Sequence, residues 1–216
     1  MRIILIVLCL LALAPVAAQA QTDRHVAVGA SIGVREFMDK DHFTKKNPSV
    51  SLLYRLSRHP THRKEGWVWR LGGTVGYSHS DYEQDLAGTD TKIGSLRMIP
   101  VEGGIERAYR HDRLKIGASV FTGPSFNKFS IDSAVRPAYQ DAVGAPLEDI
   151  HAKTSLAVRS GVGMWYDVSK WIGIHAGAYY LYERPRVTTT VGGVSTTETW
   201  KVDHVSVSAG LAVGLF

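Results

Sequence analysis

The residues with the most evident chemical potential lie close to the carboxyl-terminal end of the sequence. His204 and Ser206 are separated by one residue within an apolar stretch. On one face of a strand, an imidazole could activate a hydroxyl for ester hydrolysis if a carboxylate oriented the ring. No carboxylate follows within the stretch, and Asp203 falls on the opposite face. We therefore predict no catalytic residues and no enzyme, with ester hydrolysis as the alternative.

Two further histidines stand close together in a basic segment. His59 and His62 are three residues apart, and their neighbours Arg58, Arg63 and Lys64 would repel a cation. No cysteine or third histidine follows nearby to complete a zinc site. The pattern is typical of a solvated basic connection. We therefore predict neither a metal site nor a cofactor.

Charged residues of both signs alternate with apolar residues along several segments. Charges removed from water must pair to be tolerated, so we expect an interior ion-pair network. Glu106 and Lys115 flank one short turn and are expected to lie side by side. His175 shares their parity and is expected to be an interior hydrogen-bonded residue. The predicted network comprises Arg55, Arg70, Glu102, Glu106, Lys115 and Arg159.

The elements that carry these residues are predicted to be strands. After Asp203, Val, Ala and Leu alternate with Ser, Gly and Ala up to Leu215, and such a period of two marks a strand with two different faces. Pro100 lacks a backbone donor and predicts a bulge or a break in its strand. The alternation predicts eight strands at about residues 25–34, 49–56, 67–78, 95–108, 114–123, 155–166, 171–182 and 200–216.

Short and long connections alternate between these strands. The short ones lie near residues 109 and 167 and, less regularly, at 57–66, whereas the long ones cover 35–48, 79–94, 124–153 and 183–199. This asymmetry is typical of an outer-membrane barrel, which has short turns on the periplasmic side and long extracellular loops. Residues 124–153 and a threonine-rich hairpin at 187–200, turning at Gly192-Gly193, are the expected contact elements.

The alternation leaves open which face of the strands points outward, because a soluble ligand-binding barrel has its apolar face inward. Glycine fills the polar parity, as at Gly72, Gly161 and Gly177, where a water-facing surface would carry longer polar residues. Glycine gives long side chains room inside a narrow barrel. We therefore predict that the apolar face meets hydrocarbon and that the glycine and charged residues are enclosed.

Aromatic residues cluster at the strand ends. Trp and Tyr favour membrane interfaces because one end is apolar and the other forms hydrogen bonds with water. Ordinary sheet packing is the alternative interpretation. The predicted interface aromatics are Trp67, Trp69, Tyr166 and Trp171 at one rim, and Tyr77, Tyr180, Tyr182 and Trp200 at the other.

The first twenty residues have the pattern of a cleaved secretory signal. Arg2 precedes an apolar run, and Ala18-Gln19-Ala20 forms a small-x-small cleavage site. We expect one domain, residues 21–216, and no disulfide in it, because the sole cysteine, Cys9, lies in the apolar run. The formal net charge is +5, but the basic residues are scattered and form no stripe, which argues against nucleic acid as a partner.

The strand pattern resembles the small eight-stranded outer-membrane barrels of Gram-negative bacteria, the OmpX, OmpA transmembrane and OmpW-like group. A carboxy-terminal assembly signal similar to that group's comprises Ser208, Gly210, Val213, Leu215 and Phe216, with Phe216 as one extra residue. The resemblance implies an all-β, eight-stranded, antiparallel up-and-down transmembrane β-barrel in the cell outer membrane. It also implies contacts with outer-membrane lipid and with the barrel-assembly machinery.

The expected role is structural, or an interaction with an extracellular surface partner through the long loops, since side chains fill the interior of a barrel this narrow. Three alternatives stay open. The first is a barrel enzyme that hydrolyses lipid A esters, because some similar barrels carry a His-x-Ser pattern like His204 and Ser206. The second is a narrow channel for small solutes, gated by the charged network. The third is a soluble periplasmic barrel.

Overall fold

A computed structural model describes residues 24–39, 42–43, 47–58, 65–169 and 171–214. The predicted secretory signal therefore lies outside the described residues. The same holds for His59, His62 and the last two residues of the predicted assembly signal, Leu215 and Phe216.

The described chain is built almost entirely of strands, as the alternation predicted. One helix, α1, covers Val135–Val143, and within the described ranges no helix is long and apolar enough to cross a membrane. The strands are β1 (Arg24–Phe37), β2 (Asn47–Arg58), β3 (Glu65–Leu86), β4 (Thr89–His111), β5 (Leu114–Ile131), β6 (Leu147–Ala152), β7 (Ser155–Asp167), β8 (Ile172–Glu183), β9 (Arg186–Val191), β10 (Val194–Thr199) and β11 (His204–Gly214).

Eight of these strands close into a barrel in the order β1-β11-β8-β7-β5-β4-β3-β2. Every neighbouring pair is antiparallel, and the barrel closes between the first and last strands, where Val34 lies opposite Val207. Closure leaves no free sheet edge in the wall, which a strand protein needs in hydrocarbon because every backbone polar group must be paired. The prediction of an eight-stranded antiparallel up-and-down barrel is confirmed.

The two faces of the wall have opposite chemistry. Val207 and Leu211 are 61% and 62% exposed on the outside, as is Ile174 at 45%. Arg70 and Glu102 are buried on the inside. The predicted direction of the apolar face is confirmed, and a belt of apolar side chains surrounds an enclosed polar interior.

Pro100 interrupts the hydrogen-bond ladder between β3 and β4 without shifting the register of the two strands. Partners are continuous up to Val75 and Val101 and resume in the same register at Ser78 and Met98. The predicted irregularity at Pro100 is therefore a break, and the register shift lies farther along, next to Tyr82. The break leaves backbone groups unpaired by the ladder because proline cannot donate.

Two of the predicted long loops, 79–94 and 124–153, contain regular structure that was not predicted, and 183–199 contains the predicted hairpin. Strands β3, β4 and β5 continue past the barrel wall, and the segment predicted as one loop at 124–153 contains the end of β5, α1 and β6. The predicted hairpin is present as β9 and β10, and the turn has φ 54° at Gly192 and 76° at Gly193, values that favour glycine. Strand β11 starts at His204 rather than at Trp200.

These segments, together with residues 42–43, form one folded unit over the barrel mouth, which we call the cap: residues 42–43, 79–98, 126–154 and 184–203. The cap includes a second sheet, with strands in the order β10-β9-β6. Of this unit, the sequence predicts the β9–β10 hairpin but not α1 or β6. Its buried core contains Phe43, Leu86, Ile93, Leu96, Met98, Phe129, Val135, Tyr139, Leu147, Ile150, Ala152, Val187, Trp200 and Val202, together with Phe37 at the barrel mouth.

Candidate functional site: the barrel interior and the cap

Three of the predicted network residues meet in the barrel. Glu106 on β4 lies 3.2 Å from Nη2 of Arg55 on β2 and 3.1 Å from Nη2 of Arg70 on β3. The strand register explains this arrangement, since Arg70 and Glu106 are directly opposite. The buried carboxylate of Glu106 thus neutralises part of the charge of the buried Arg70 and of the partly buried Arg55.

A second charged group lies nearer the cap. Arg159 Nε is 2.9 Å from Oε2 of Glu102, and Arg35 and Glu183 are buried in the same part of the interior. Glu183 accepts a hydrogen bond from Ser155 Oγ at 2.8 Å. Arg35 and Glu183 are not in the predicted network because the predicted first and seventh strands end at residues 34 and 182, whereas the strands continue to Phe37 and Glu183. Both residues have the same parity as the glycines of their strands, and this pattern would have predicted that they face the interior.

Lys115 does not pair with Glu106, and that prediction is wrong. Its Nζ lies 2.7 Å from Oδ2 of Asp167, at the end of β7. The reason is the register of β4 and β5, which places Lys115 opposite Arg110 and Glu106 opposite Ser119.

The middle of the barrel is filled by side chains. His175 is buried and stacks on Trp165, with ring centroids 5.6 Å apart. The Arg55 guanidinium lies 5.2 Å from the Trp165 ring centroid, close enough for a cation–π interaction. A cavity of about 30 Å³ lies between these side chains, and its lining includes Arg55 and His175.

His204 and Ser206 form hydrogen bonds with backbone groups rather than with a triad. His204 is buried, and its Nδ1 lies 3.1 Å from the Val202 carbonyl oxygen. Ser206 Oγ donates to the Tyr179 carbonyl oxygen at 3.5 Å. Asp203 binds Arg184, with 2.8 Å between Oδ2 and Nη2, on the other side of the chain.

Other histidines pair with single carboxylates. His42 lies 3.1 Å from Asp39, and His111 lies 2.8 Å from Glu65. Among the residues that the structure describes, no group of three or more His, Cys, Asp or Glu side chains could hold a metal ion.

Most of the predicted interface aromatics lie on the outer surface, and one does not. Trp200 is only 8% exposed and stacks on Tyr82, with centroids 4.4 Å apart, inside the cap. Its assignment to the membrane interface is wrong because Trp200 has the same parity as His204, which faces the interior, and residues 200–202 run alongside residues 183–185, with Trp200 N donating to the Pro185 carbonyl oxygen at 3.0 Å. The residues with outward-facing rings are Trp67, Trp69, Tyr77, Tyr166, Trp171, Tyr180 and Tyr182.

The cap contains a cavity of about 170 Å³ that opens to solvent beside the exposed residues Thr196 and Glu198. Trp200 Nε1 donates to Oε1 of Glu198 at 2.6 Å beside it. Burial, followed by the charges of Glu198 and Asp39, raises the pKa of Tyr82 to about 12. The cavity is lined by Tyr82, Gln84, Ile93, Tyr139, Leu147, Ile150, Thr189, Thr196, Glu198 and Trp200.

The barrel fold is shared with solved structures. OprG from Pseudomonas aeruginosa, an outer-membrane protein, superimposes with a TM-score of 0.67 over 90% of this chain and 97% of its own, at 9% sequence identity. This chain has the fold of the small outer-membrane β-barrels. Together with the apolar belt, the fold assigns the barrel to an outer membrane, in contact with lipid.

Two further structures agree with this fold. The outer-membrane protein AlkL has a TM-score of 0.54 and 14% identity, covering 91% of this chain and 92% of its own. A major outer membrane protein from Thermus thermophilus has a TM-score of 0.51 and 12% identity, covering 89% and 99%. No protein-family model matches the sequence, and no curated protein matches it either.

Proposed function

We propose that the chain is a closed outer-membrane barrel whose working part is the cap, held outside the cell as a rigid surface for a binding partner. The observation that carries the proposal is the buried core of the cap, in which Trp200 packs against Tyr82, Phe43 and Phe129. A connection that only joins strands needs no core of its own. Function on such scaffolds concentrates in the connecting segments.

The difference in connection length between the two ends of the barrel favours an extracellular position for the cap. The turns at Asp112 and after Asp167 are short, whereas the cap occupies the opposite end. In outer-membrane barrels the short turns face the periplasm and the long connections face outward. We further propose export by the segment up to Ala20, cleavage there, and insertion by the barrel-assembly machinery through the segment that includes Ser208, Gly210 and Val213.

An epitope inserted between Gly192 and Gly193, at the tip of the β9–β10 hairpin, tests this orientation. The matched control carries the same epitope between Asp112 and Arg113. Antibody should label intact cells that carry the first insertion and should label the second only after the outer membrane is opened. Labelling of the Asp112–Arg113 insertion on intact cells would contradict the proposal.

The filled interior argues against conduction. A path along the barrel axis would have to break the Arg159–Glu102 pair and move the stacked rings of Trp165 and His175. Planar-bilayer recording of the refolded protein should therefore give no unitary current. Reproducible stepwise conductance that is absent from a control sample without the protein would contradict a closed barrel and indicate a narrow channel.

Lipid A hydrolysis is the enzymatic rival, and it has its own test. Lipid A from cells that express the chain should show the same acyl chains as lipid A from cells with an empty vector. The proposal would be overturned if lipid A lost an acyl chain in cells that express the wild type but kept that chain in cells that express His204→Ala.

A further inference from the structure

Three basic side chains cross the outer face of the barrel where the wall meets the cap. His79 on β3 lies opposite Arg97 on β4, and Arg97 lies opposite Lys128 on β5. Leu96 and Met98, on either side of Arg97, are buried in the cap core, so the Arg97 side chain points outward. Arg97 and Lys128 are both exposed. We call these three residues the basic row.

The basic row lies just outside the apolar belt, on the side of the cap. Tyr77 precedes His79 by two residues and Phe126 precedes Lys128 by two, and both rings face outward with 46% and 51% exposure. Two residues of a strand cover about 7 Å. The basic row therefore lies at the level of the lipid head groups when the belt lies in hydrocarbon.

Arg97 and Lys128 carry like charges at directly opposite positions, an arrangement that destabilises a sheet. Within the described ranges, neither side chain forms an ion pair. The carboxylate of Asp81, farther out on β3, binds Lys92 at 3.0 Å and His79 at 3.5 Å instead. The described part of the chain thus supplies no anion to Arg97 and Lys128.

Arg184, at the same end of the barrel, has a carboxylate partner. Its Nη2 lies 2.8 Å from Oδ2 of Asp203, and its guanidinium lies 4.9 Å from the ring centroid of Tyr182. A cation at this rim can therefore be balanced by the chain itself. The basic row lacks such a balance, which favours a ligand that brings its own negative charge.

Phosphate is the anion that this site fits, because guanidinium and ammonium groups both bind it, and guanidinium does so through two parallel hydrogen bonds. We infer that the basic row binds the phosphate group of a membrane lipid, with Arg97 and Lys128 on the phosphate and the acyl chains along the belt beside Tyr77 and Phe126. The choice of leaflet rests on the proposed function. With the cap outside the cell, the lipid lies in the outer leaflet and is a phosphorylated lipid A.

Lipid A that carries both of its phosphate groups is the probe, and lipid A without them is the matched control lipid. Native mass spectrometry of the full barrel, refolded in a maltoside detergent, counts the lipid molecules bound to each barrel during a titration. The phosphorylated lipid should bind about tenfold more tightly than the control lipid. Ammonium phosphate at millimolar concentrations should not displace it, because free phosphate has no acyl chains to contact the belt.

Arg97→Gln and Lys128→Gln should each weaken binding of the phosphorylated lipid by about tenfold and leave binding of the control lipid unchanged. Arg113→Gln removes the same charge from an exposed turn at the other end of the barrel and should leave both affinities unchanged. Each substitution in the basic row also removes a repulsive contact, so the variants should fold as well as wild type. Gel mobility with and without heating verifies this.

Four results would overturn the inference: equal binding of the two lipids, unchanged affinity in folded Arg97→Gln and Lys128→Gln, an equal loss of affinity in Arg113→Gln, and displacement by ammonium phosphate, which would make the basic row a site for free phosphate. The measurement uses purified protein, so its outcome is separate from that of the epitope experiment. Labelling of the Asp112–Arg113 insertion on intact cells would change the leaflet and leave the measured preference for a phosphorylated lipid as it is.

Discussion

Arg70 and Glu106 lie directly opposite each other on β3 and β4, inside the barrel, with Nη2 of the arginine 3.1 Å from Oε1 of the glutamate. Their side chains are only 4% and 5% exposed. A buried pair of this kind contributes little compared with a well-packed apolar pair, but removal of one member leaves a buried charge without its partner. The interior is therefore sensitive to single substitutions.

Glu106→Gln should reduce the free energy of unfolding by about 3 kcal/mol, because Arg55 and Arg70 both lose their carboxylate partner. Urea unfolding of the refolded barrel, followed by tryptophan fluorescence, measures this change. Glu83→Gln, at an exposed position of β3, is the control and should stay within about 0.5 kcal/mol of wild type. Equal stability of the two variants would show that the interior charges are not paired as described.

Gly104 and its neighbour Gly103 should differ sharply in their tolerance of alanine. A Cβ at Gly104 would collide with the Val120 carbonyl oxygen and lie 2.6 Å from the Phe121 Cα, whereas at Gly103 the nearest atom is 3.9 Å away. Overpacking against backbone costs about 1–3 kcal/mol. Gly104→Ala should thus be less stable than Gly103→Ala by about that amount in the same unfolding assay. The opposite order would contradict the close approach of β4 and β5.

The link between Asp203 and Arg184 should make stability depend on acid pH. Burial alone would raise the pKa of Asp203, but hydrogen bonds from Arg184 and the Glu183 backbone N–H, with the Arg184 charge, hold that pKa below its usual value. A carboxyl with a lowered folded-state pKa stabilises the fold above the unfolded-state pKa, near 3.9, and loses that effect as pH falls through the folded value.

Asp203→Asn removes this titration. Wild type should therefore lose more stability than Asp203→Asn between pH 6 and about pH 3, and the two should differ most near neutral pH. Urea unfolding across that range measures both. Parallel pH profiles would contradict a lowered pKa at Asp203.

Arginine should be tolerated on an exposed apolar position of the cap and not on the belt. Leu211 and Val194 are 62% and 69% exposed, but the first lies on the barrel wall and the second on β10. Leu211→Arg should destabilise the barrel in liposomes by about 2–4 kcal/mol, the cost of a charge near the middle of the bilayer. Val194→Arg should stay within about 0.5 kcal/mol of wild type.

The alternation of apolar and small residues was sufficient to predict the barrel wall. In β11 and β8, the residues between Val205 and Val213 and between Ile172 and Tyr182 keep one parity throughout, because one face must meet lipid and the other must fit a narrow interior. The wall is thus specified locally, strand by strand.

The cap could not be predicted in the same way. Trp200, Tyr82 and Phe129 come from three distant segments, and only the folded topology brings their rings together. Asp167 likewise became the partner of Lys115 through the β5–β7 register rather than through sequence proximity. Long-range pairing of this kind leaves no short-range pattern in the sequence.

Spin-label accessibility at Leu211 tests most directly which face of the wall meets hydrocarbon. Cys9 is the sole cysteine, so protein refolded from Gln21 carries a single label in each of Leu211→Cys, Ile174→Cys and the cap control Thr197→Cys. In liposomes, labels at positions 211 and 174 should be accessible to oxygen and protected from a water-soluble nickel complex, whereas the label at 197 should be accessible to the nickel complex. Free access of the nickel complex to position 211 or 174 would contradict the account.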